Sequence, residues 1–412
     1  MPSEPAPLGA IQELTLANGL RVVYAPMPWL PTLSAALSLP FGSATDPEGR
    51  EGSANVLHEW LQRGAGAMGS REYSDALLDL GARRGGGSGR EASSLSLAFL
   101  GEVTGPALEL LAAAVREPRL ADAEFEPSRE LALQELHSLQ DAPTQRLFEA
   151  LQERLFAGPQ RRSAYGTAEG LAALDPAAVR ADAAARLGPD GAVLGLAGGG
   201  DWERLAVAAE RAFGGWRGAS VAVPAAEFAP VGRHHVDADS SQVQIGLGFP
   251  SPAPGTDDMY VYLVALEVLS GSMGARLFTE VREKRGLVYS VSAFYRALRG
   301  CGYTLGYAGT TTERAGETLE VYLAELKRLA AGVSGDEFDR ARTGLLSNVV
   351  MAGESTGGTA GRLANDVALF GRPRTLAEIA ERIEGVTLEG VNDYLAANPI
   401  PEPTVVTLGP KA

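Results

Sequence analysis

Residues 272–295 read SMGARLFTEVREKRGLVYSVSAFY, and the pattern of this stretch changes halfway along. Its first half has the spacing of a helix and its second half that of a strand. Arg282 and Tyr289 lie seven residues apart across the change. Two interpretations of the pair are open. Arg282 could form an ion pair with Glu280 or Glu283 while Tyr289 fills the core, or both side chains could reach a ligand.

On either side of this stretch the predicted elements repeat. Each half of the chain has the order strand, helix, strands, helices, strand, which indicates a duplicated α+β unit. The segment between the halves is rich in Gly, Ala and Pro and lacks helical periodicity, as linkers do. The sequence therefore predicts an N-terminal domain over 1–215, a linker over 216–233 and a C-terminal domain over 234–412. Each domain is expected to be a mixed or antiparallel sheet packed with helices.

The composition bounds the possible partners. The chain has 412 residues, 45% of them hydrophobic, and a formal net charge of −15. An acidic surface repels nucleic acids and anionic membranes, so neither is expected as a partner. No run of 18 apolar residues predicts a membrane helix. The single cysteine, Cys301, excludes an intrachain disulfide and is expected to be buried. With no signal-peptide pattern at the N-terminus, the expected location is the cytoplasm.

The chain resembles the M16 (pitrilysin/insulinase-type) peptidase family over about residues 12–409. The most specific segment is 272–295, which is similar to the family's second-domain signature R-L-F-x-x-(L/V)-R-E-x-x-G-L-x-Y-x-V. Residues 163–216 resemble the end of the family's first domain. In catalytic members an Arg and a Tyr of this signature contact the substrate backbone, and the resemblance gives these roles to Arg282 and Tyr289.

The segment GSANVLHEW, residues 52–60, resembles the family's zinc helix by position. That helix reads roughly G-x-A-H-F-L-E-H-M, where two His bind zinc and the Glu activates a water molecule. Asn55 stands in place of the first His, His58 in place of the Glu, and Glu59 in place of the second His. All three positions have changed, so the resemblance implies a degenerate metal site.

The family's third zinc ligand is a Glu on a later helix. Glu135, in LALQELHSLQDAP, stands at the matching distance, and Asp141 and Pro143 match the acidic residue and proline that follow it in the family. Glu135 is either a remnant of the metal site or an ordinary solvated helical residue.

The glycine-rich tract ARRGGGSGREASS, residues 82–94, lies where the family's substrate-pairing edge strand begins. It is not predicted to bind phosphate, because no G-K-[ST] ends it. Active members usually have Asn-Ala near Gly89 and Arg90, so this edge has also diverged.

The resemblance implies two homologous α+β domains that face each other like a clam and form a chamber. Because the Arg/Tyr signature persists while the zinc helix is lost, we expect a non-catalytic subunit of a heterodimeric zinc peptidase. Arg282 and Tyr289 would act on peptide substrate held by a homologous, zinc-bearing partner. No cofactor is expected in this chain.

Two alternatives stay open. One is a structural or interaction subunit with no proteolytic role. The other is an active metallopeptidase with an unusual site built from His58, Glu59 and Glu135. The segment His58–Gln62 resembles the H-E-x-x-H zinc motif with its last His replaced by Gln, which is a weak zinc ligand.

Overall fold

The computed structural model describes residues 10–411, which form two compact units. Residues 1–9, on which the expectation of no signal peptide partly rests, lie outside the described residues. The first unit comprises the residues up to Ser138, Arg162–Pro224 and Ala352–Leu376; the second comprises Leu139–Arg161, Ala225–Met351 and the residues from Ala377 onward. Within the described residues, no helix is long and apolar enough to cross a membrane.

The strands of the described chain form one six-stranded and one five-stranded sheet. The strands are β1 (Gln12–Thr15), β2 (Arg21–Pro26), β3 (Thr32–Leu39), β4 (Arg83–Ser88), β5 (Ser93–Leu100), β6 (Val193–Gly198), β7 (Arg233–Asp237), β8 (Val243–Ser251), β9 (Ser290–Leu298), β10 (Cys301–Thr310) and β11 (Thr404–Gly409). The first six belong to one sheet and the others to the second, so the predicted α+β class is confirmed.

Helices cover both sheets. They are α1 (Ser53–Leu61), α2 (Ser70–Asp79), α3 (Thr104–Arg116), α4 (Asp122–Ser138), α5 (Pro143–Leu155), α6 (Ala168–Ala172), α7 (Pro176–Arg186), α8 (Trp202–Phe213), α9 (Asp257–Ser270), α10 (Ala315–Leu329), α11 (Gly335–Ala352), α12 (Thr356–Phe370), α13 (Leu376–Glu384) and α14 (Leu388–Ala397). The predicted helix near 275–285 is mostly a π-helical segment, Phe278–Glu283.

The two sheets share one topology, which supports the predicted duplication. The first runs β1-β2-β6-β3-β5-β4 and the second runs β7-β11-β8-β10-β9. In each sheet one parallel pair, β2 with β6 or β7 with β11, is followed by antiparallel pairs only. Strand β4 is therefore an edge strand, as the resemblance predicted for the glycine-rich tract.

Each sheet is covered by a helix from the other half of the sequence. Helix α12 packs on β2, β3 and β6, and helix α5 packs on β8 and β11. Glycines allow this close approach: a Cβ on Gly195 would lie 2.1 Å from the Ala360 carbonyl oxygen. The compact units are thus discontinuous in sequence, whereas the predicted domains 1–215 and 234–412 are continuous; the boundaries of those domains stay a prediction.

We predict that Leu151→Ala in α5 destabilises the second unit although α5 lies in the first half of the sequence. Leu151 is fully buried against the second sheet. Its truncation leaves a cavity that typically costs about 2–5 kcal/mol. Urea unfolding followed by hydrogen exchange should show the loss in the strands of residues 225–351. Leu78→Ala, at a site 71% exposed, is the control and should have almost no effect; faster exchange confined to β1–β6 would contradict the assignment.

Candidate functional site

A buried carboxylate fixes the beginning of helix α1, which carries the degenerate zinc segment. Asp46 accepts hydrogen bonds from the backbone amides of Gly52 and Ala54, both at 2.8 Å. Arg186 pairs with the same carboxylate at 3.3 Å. Burial raises the pKa of Asp46 to about 6, while Arg186 and the two amides oppose the rise. A carboxylate at this end also suits the helix dipole, so α1 has a defined start.

Asn55 and Glu59 on α1 meet Glu135 on α4. The Asn55 side-chain amide donates a hydrogen bond to the Glu135 carboxylate at 3.0 Å. Burial raises the pKa of Glu59, and the negative charge of Glu135 raises it further. The fold therefore brings together the three positions that hold zinc ligands in the family, Asn55, Glu59 and Glu135.

His58 is buried among the described residues and interacts with the next turn of its own helix. The Gln62 side-chain amide lies 3.1 Å from its Nε2 atom. Its Nδ1 atom is buried and has no hydrogen-bond partner in the described chain. Burial lowers the pKa of His58 to about 4, so the ring is neutral near pH 7. A buried, neutral ring held by Gln62 does not act as a carboxylate base.

The donors at this site do not fit zinc. Structural and catalytic zinc sites take His, Cys and carboxylate donors, usually three or four together. Here the amide of Asn55 occupies an oxygen of Glu135, and Glu59 is the other carboxylate nearby. Within residues 10–411, no group of three or more His, Cys, Asp or Glu is arranged to hold a metal ion.

We predict that zinc binding can be restored by the triple substitution Asn55→His, His58→Glu and Glu59→His. These changes recreate H-x-x-E-H on α1, and Glu135 already stands opposite the first position. The variant should bind about one zinc per chain by metal analysis, whereas the wild type should hold no stoichiometric zinc.

The control adds Glu135→Gln to the triple variant, which should lose tight zinc binding because the third ligand is gone. A folded triple variant without zinc would show that Glu135 is misplaced. Stoichiometric zinc and chelator-sensitive peptide cleavage in the wild type would contradict the degenerate site.

The burial of His58 makes the free energy of unfolding depend on pH. The pKa of His58 is about 4 in the folded chain against an ordinary value of 6.5. Between these values the unfolded chain binds more protons, so the free energy of unfolding falls as pH falls. From pH 7 to pH 5, the wild type should lose roughly 2 kcal/mol more than His58→Gln in urea unfolding.

The difference between the two chains is the informative quantity, because Asp46 has the opposite effect. The raised pKa of Asp46 stabilises the fold as pH falls through about 6, and this contribution is common to wild type and variant. Equal pH dependence in both chains would show that His58 is not buried as described.

In the second unit, Arg282 and Tyr289 form a stacked pair. The Arg282 guanidinium lies 5.2 Å from the centre of the Tyr289 ring and 4.9 Å from that of Phe278. Arg282 is partly exposed and Tyr289 is 82% exposed. Neither residue is buried in the core, and such stacking limits the motion of the guanidinium while its donors stay accessible.

The ion pair of Arg282 with Glu280 or Glu283 is absent from the described chain. Glu280 instead binds Lys284 at 2.7 Å and Arg285 at 2.8 Å, with Arg328 at 3.8 Å. These contacts hold the pKa of Glu280 at about 2, the hydrogen bond from Lys284 being the largest cause. The charge of Arg282 thus stays available to a ligand.

Sequence reasoning missed the residues that hold these two segments. Asp46 and Arg186 anchor α1, and Thr310 and Arg314 contact the backbone beside Tyr289. None of them belongs to the motif it supports. Asp46, six residues before Gly52, was the only one whose position offered a signal, because acidic residues commonly cap helices.

Two family descriptions match the chain. "Insulinase (Peptidase family M16)" matches residues 21–168, and "Peptidase M16 inactive domain" matches residues 174–345. The matched residues together make up more than half of the chain. The two matches define a two-domain protein with a peptidase-type fold. The chain belongs to the M16 peptidase family.

Relatives and solved structures agree with this assignment. A Mycobacterium tuberculosis protein named an uncharacterized zinc protease is 26% identical over 95% of this chain and 91% of its own length. A Bacillus subtilis protein of the same description is 25% identical over 93% of this chain and 94% of its own. The crystal structure of a peptidase M16 inactive domain from Pseudomonas fluorescens has a TM-score of 0.88 at 22% identity, covering 98% of this chain and 99% of its own. A Helicobacter pylori protease has the same TM-score at 17% identity, covering 98% and 100%.

Proposed function

We propose that this chain is the non-catalytic subunit of a heterodimeric M16-type zinc peptidase. The observation that carries the proposal is a contrast between two segments. At the degenerate zinc site, Asn55 satisfies Glu135 within the chain. At the other segment, Arg282 has no carboxylate partner among the described residues and Tyr289 is exposed. The polar groups of the first segment thus bond to each other, whereas those of the second segment are accessible to a ligand.

The metal would come from a homologous partner. The relatives described above are named zinc proteases, but the donors Asn55, Glu59 and Glu135 of this chain do not fit zinc. A subunit that keeps the substrate-contacting pair and lacks the metal needs a partner of the same family that binds it. The single cysteine makes the reducing cytoplasm a suitable compartment for such a pair.

The chemistry suits peptide substrate. The Arg282 guanidinium offers several fixed N–H donors to peptide carbonyl oxygens. The Tyr289 hydroxyl could donate a hydrogen bond to the oxyanion that develops when water attacks the scissile carbonyl. Both groups act by hydrogen bonding and leave the activation of water to the zinc of the partner.

Edge strand β4 offers a further contact for an extended peptide. Its residues Arg83–Gly87 are exposed, and its sequence RRGGGS contains neither Pro nor Lys. Natural edge strands are usually protected by Pro, charged side chains, bulges or covering elements, and β4 carries charged side chains at its first two residues. The exposed glycines that follow can accept a peptide by strand addition through backbone hydrogen bonds. Arg83 and Arg84 would favour acidic side chains beside that edge.

We predict that Tyr289→Phe lowers turnover by the pair about 10²-fold or more, as expected when one oxyanion donor is removed. Arg282→Ala should weaken both substrate binding and turnover, because its contact with the peptide exists before and during the reaction. The measurement is peptide cleavage after co-expression with an H-x-x-E-H homologue.

Two matched variants serve as controls: Tyr394→Phe on α14 and Arg342→Ala on α11 should cleave at the wild-type rate. All four variants should assemble with the partner and leave its zinc content unchanged. Wild-type cleavage by both Tyr289→Phe and Arg282→Ala, or failure to form a pair, would favour a structural subunit without a proteolytic role.

A further inference from the structure

The loop that carries Arg282 and Tyr289, residues 278–290, departs from regular structure at its centre. Its helical part is π-helical, with the Lys284 amide donating to the Thr279 carbonyl at 2.9 Å. Gly286 then has a positive φ of 62°, which glycine adopts at little cost. π-Helical turns are frequent at functional sites. The positions of Arg282 and Tyr289 therefore depend on what holds this backbone.

Three side chains each donate a hydrogen bond to one backbone carbonyl of the loop. Arg285 donates to the Glu280 carbonyl at 2.8 Å, and Thr310 donates to the Leu287 carbonyl at 2.6 Å. Arg314 donates to the Gly286 carbonyl at 2.6 Å. Such bonds matter because a turn that leaves regular structure loses the usual partners of its carbonyls.

Of these three side chains, Arg314 is the one that lies both outside the loop and at the protein surface. Arg285 belongs to the loop itself, and Thr310 is buried at the end of β10, where Thr318 donates to its hydroxyl at 3.2 Å. Arg314 is exposed, immediately before α10, and it binds the carbonyl of Gly286. It joins the residue that precedes α10 to Gly286, the one glycine of the loop.

We propose that Arg314 is a positioning residue that fixes the Gly286 turn and thereby the relative placement of Arg282 and Tyr289. This inference rests on the function proposed above. A charged donor on a carbonyl forms a comparatively strong hydrogen bond, yet at an exposed site it adds little to global stability. Its effect is therefore expected in the geometry of the pair rather than in folding.

The first experiment uses the chain alone and measures backbone hydrogen exchange. Arg314→Met removes the donor and keeps an unbranched side chain. Exchange within residues 279–290 should become about tenfold faster, as expected for the loss of one hydrogen bond worth about 1.4 kcal/mol. Arg314→Lys keeps a charged donor and should recover part of the protection. Arg342→Met on α11 is the matched control and should leave exchange in the loop unchanged.

The second experiment measures peptide cleavage by the co-expressed pair. Arg314→Met should lower kcat by about tenfold or more, because a small misplacement of catalytic groups is costly. KM should change much less, since Arg314 does not touch the peptide. Arg314→Lys should restore part of kcat, and a merely structural role would not give this separation at unchanged unfolding midpoint.

The outcomes separate this inference from the proposed function. Faster loop exchange together with lower kcat and partial rescue by lysine supports it. Unchanged exchange in Arg314→Met overturns it, and so does faster exchange with wild-type kcat. If no pair forms, the proposed function fails, while the exchange data still decide whether Arg314 holds the loop.

Discussion

The ion pairs of Glu280 are the interaction on which the candidate function depends. Its carboxylate lies within the π-helical turn, two residues before Arg282, and binds Lys284 and Arg285, with Arg328 nearby. Glu280 therefore has charged partners other than Arg282, and the donors of Arg282 are not taken up by that carboxylate. Among the described residues, Arg282 thus has no carboxylate partner, although the net charge of the chain is −15.

Hydrogen bonds within the chain also account for the segment that resembles the zinc helix. Asp46 accepts hydrogen bonds at the start of α1, and Glu135 accepts one from Asn55 on that helix. A partly buried carboxylate without a metal needs a donor, and Asn55 provides one. The replacement of a ligand by an amide therefore leaves the local fold satisfied without an ion.

Sequence patterns predicted most elements because their hydrophobic periodicity is local. Strand β5 and the predicted repeat of element order followed from such signals, whereas the edge position of β4 followed from the resemblance to the family. The exchange of α5 and α12 between the sheets was not predictable, since periodicity shows that a helix has an apolar face but not which sheet covers it. The sequence also did not predict the π-helical segment. Lys284 and Arg285 stabilise it by hydrogen bonds to Glu280, and a helix of ordinary pitch would also allow such contacts.

The sequence predicted only part of the candidate site. The resemblance to the family identified Asn55, Glu59 and Glu135, and the structure brings them together. The burial of His58 and the hydrogen bond from Arg314 to the Gly286 carbonyl depend on tertiary contacts that no motif encodes.

The two segments can diverge separately because their physical requirements differ. A zinc site needs several anionic or imidazole donors at once, so the loss of one His removes most of the affinity. The proposed contacts of Arg282 and Tyr289 need only a loop held in one conformation and hydrogen-bonding groups that stay accessible. In the proposed pair the metal would come from the partner, and this chain would be constrained to keep that loop. The satisfied Glu280, the bound Gly286 carbonyl and the exposed Tyr289 are what such a constraint would preserve.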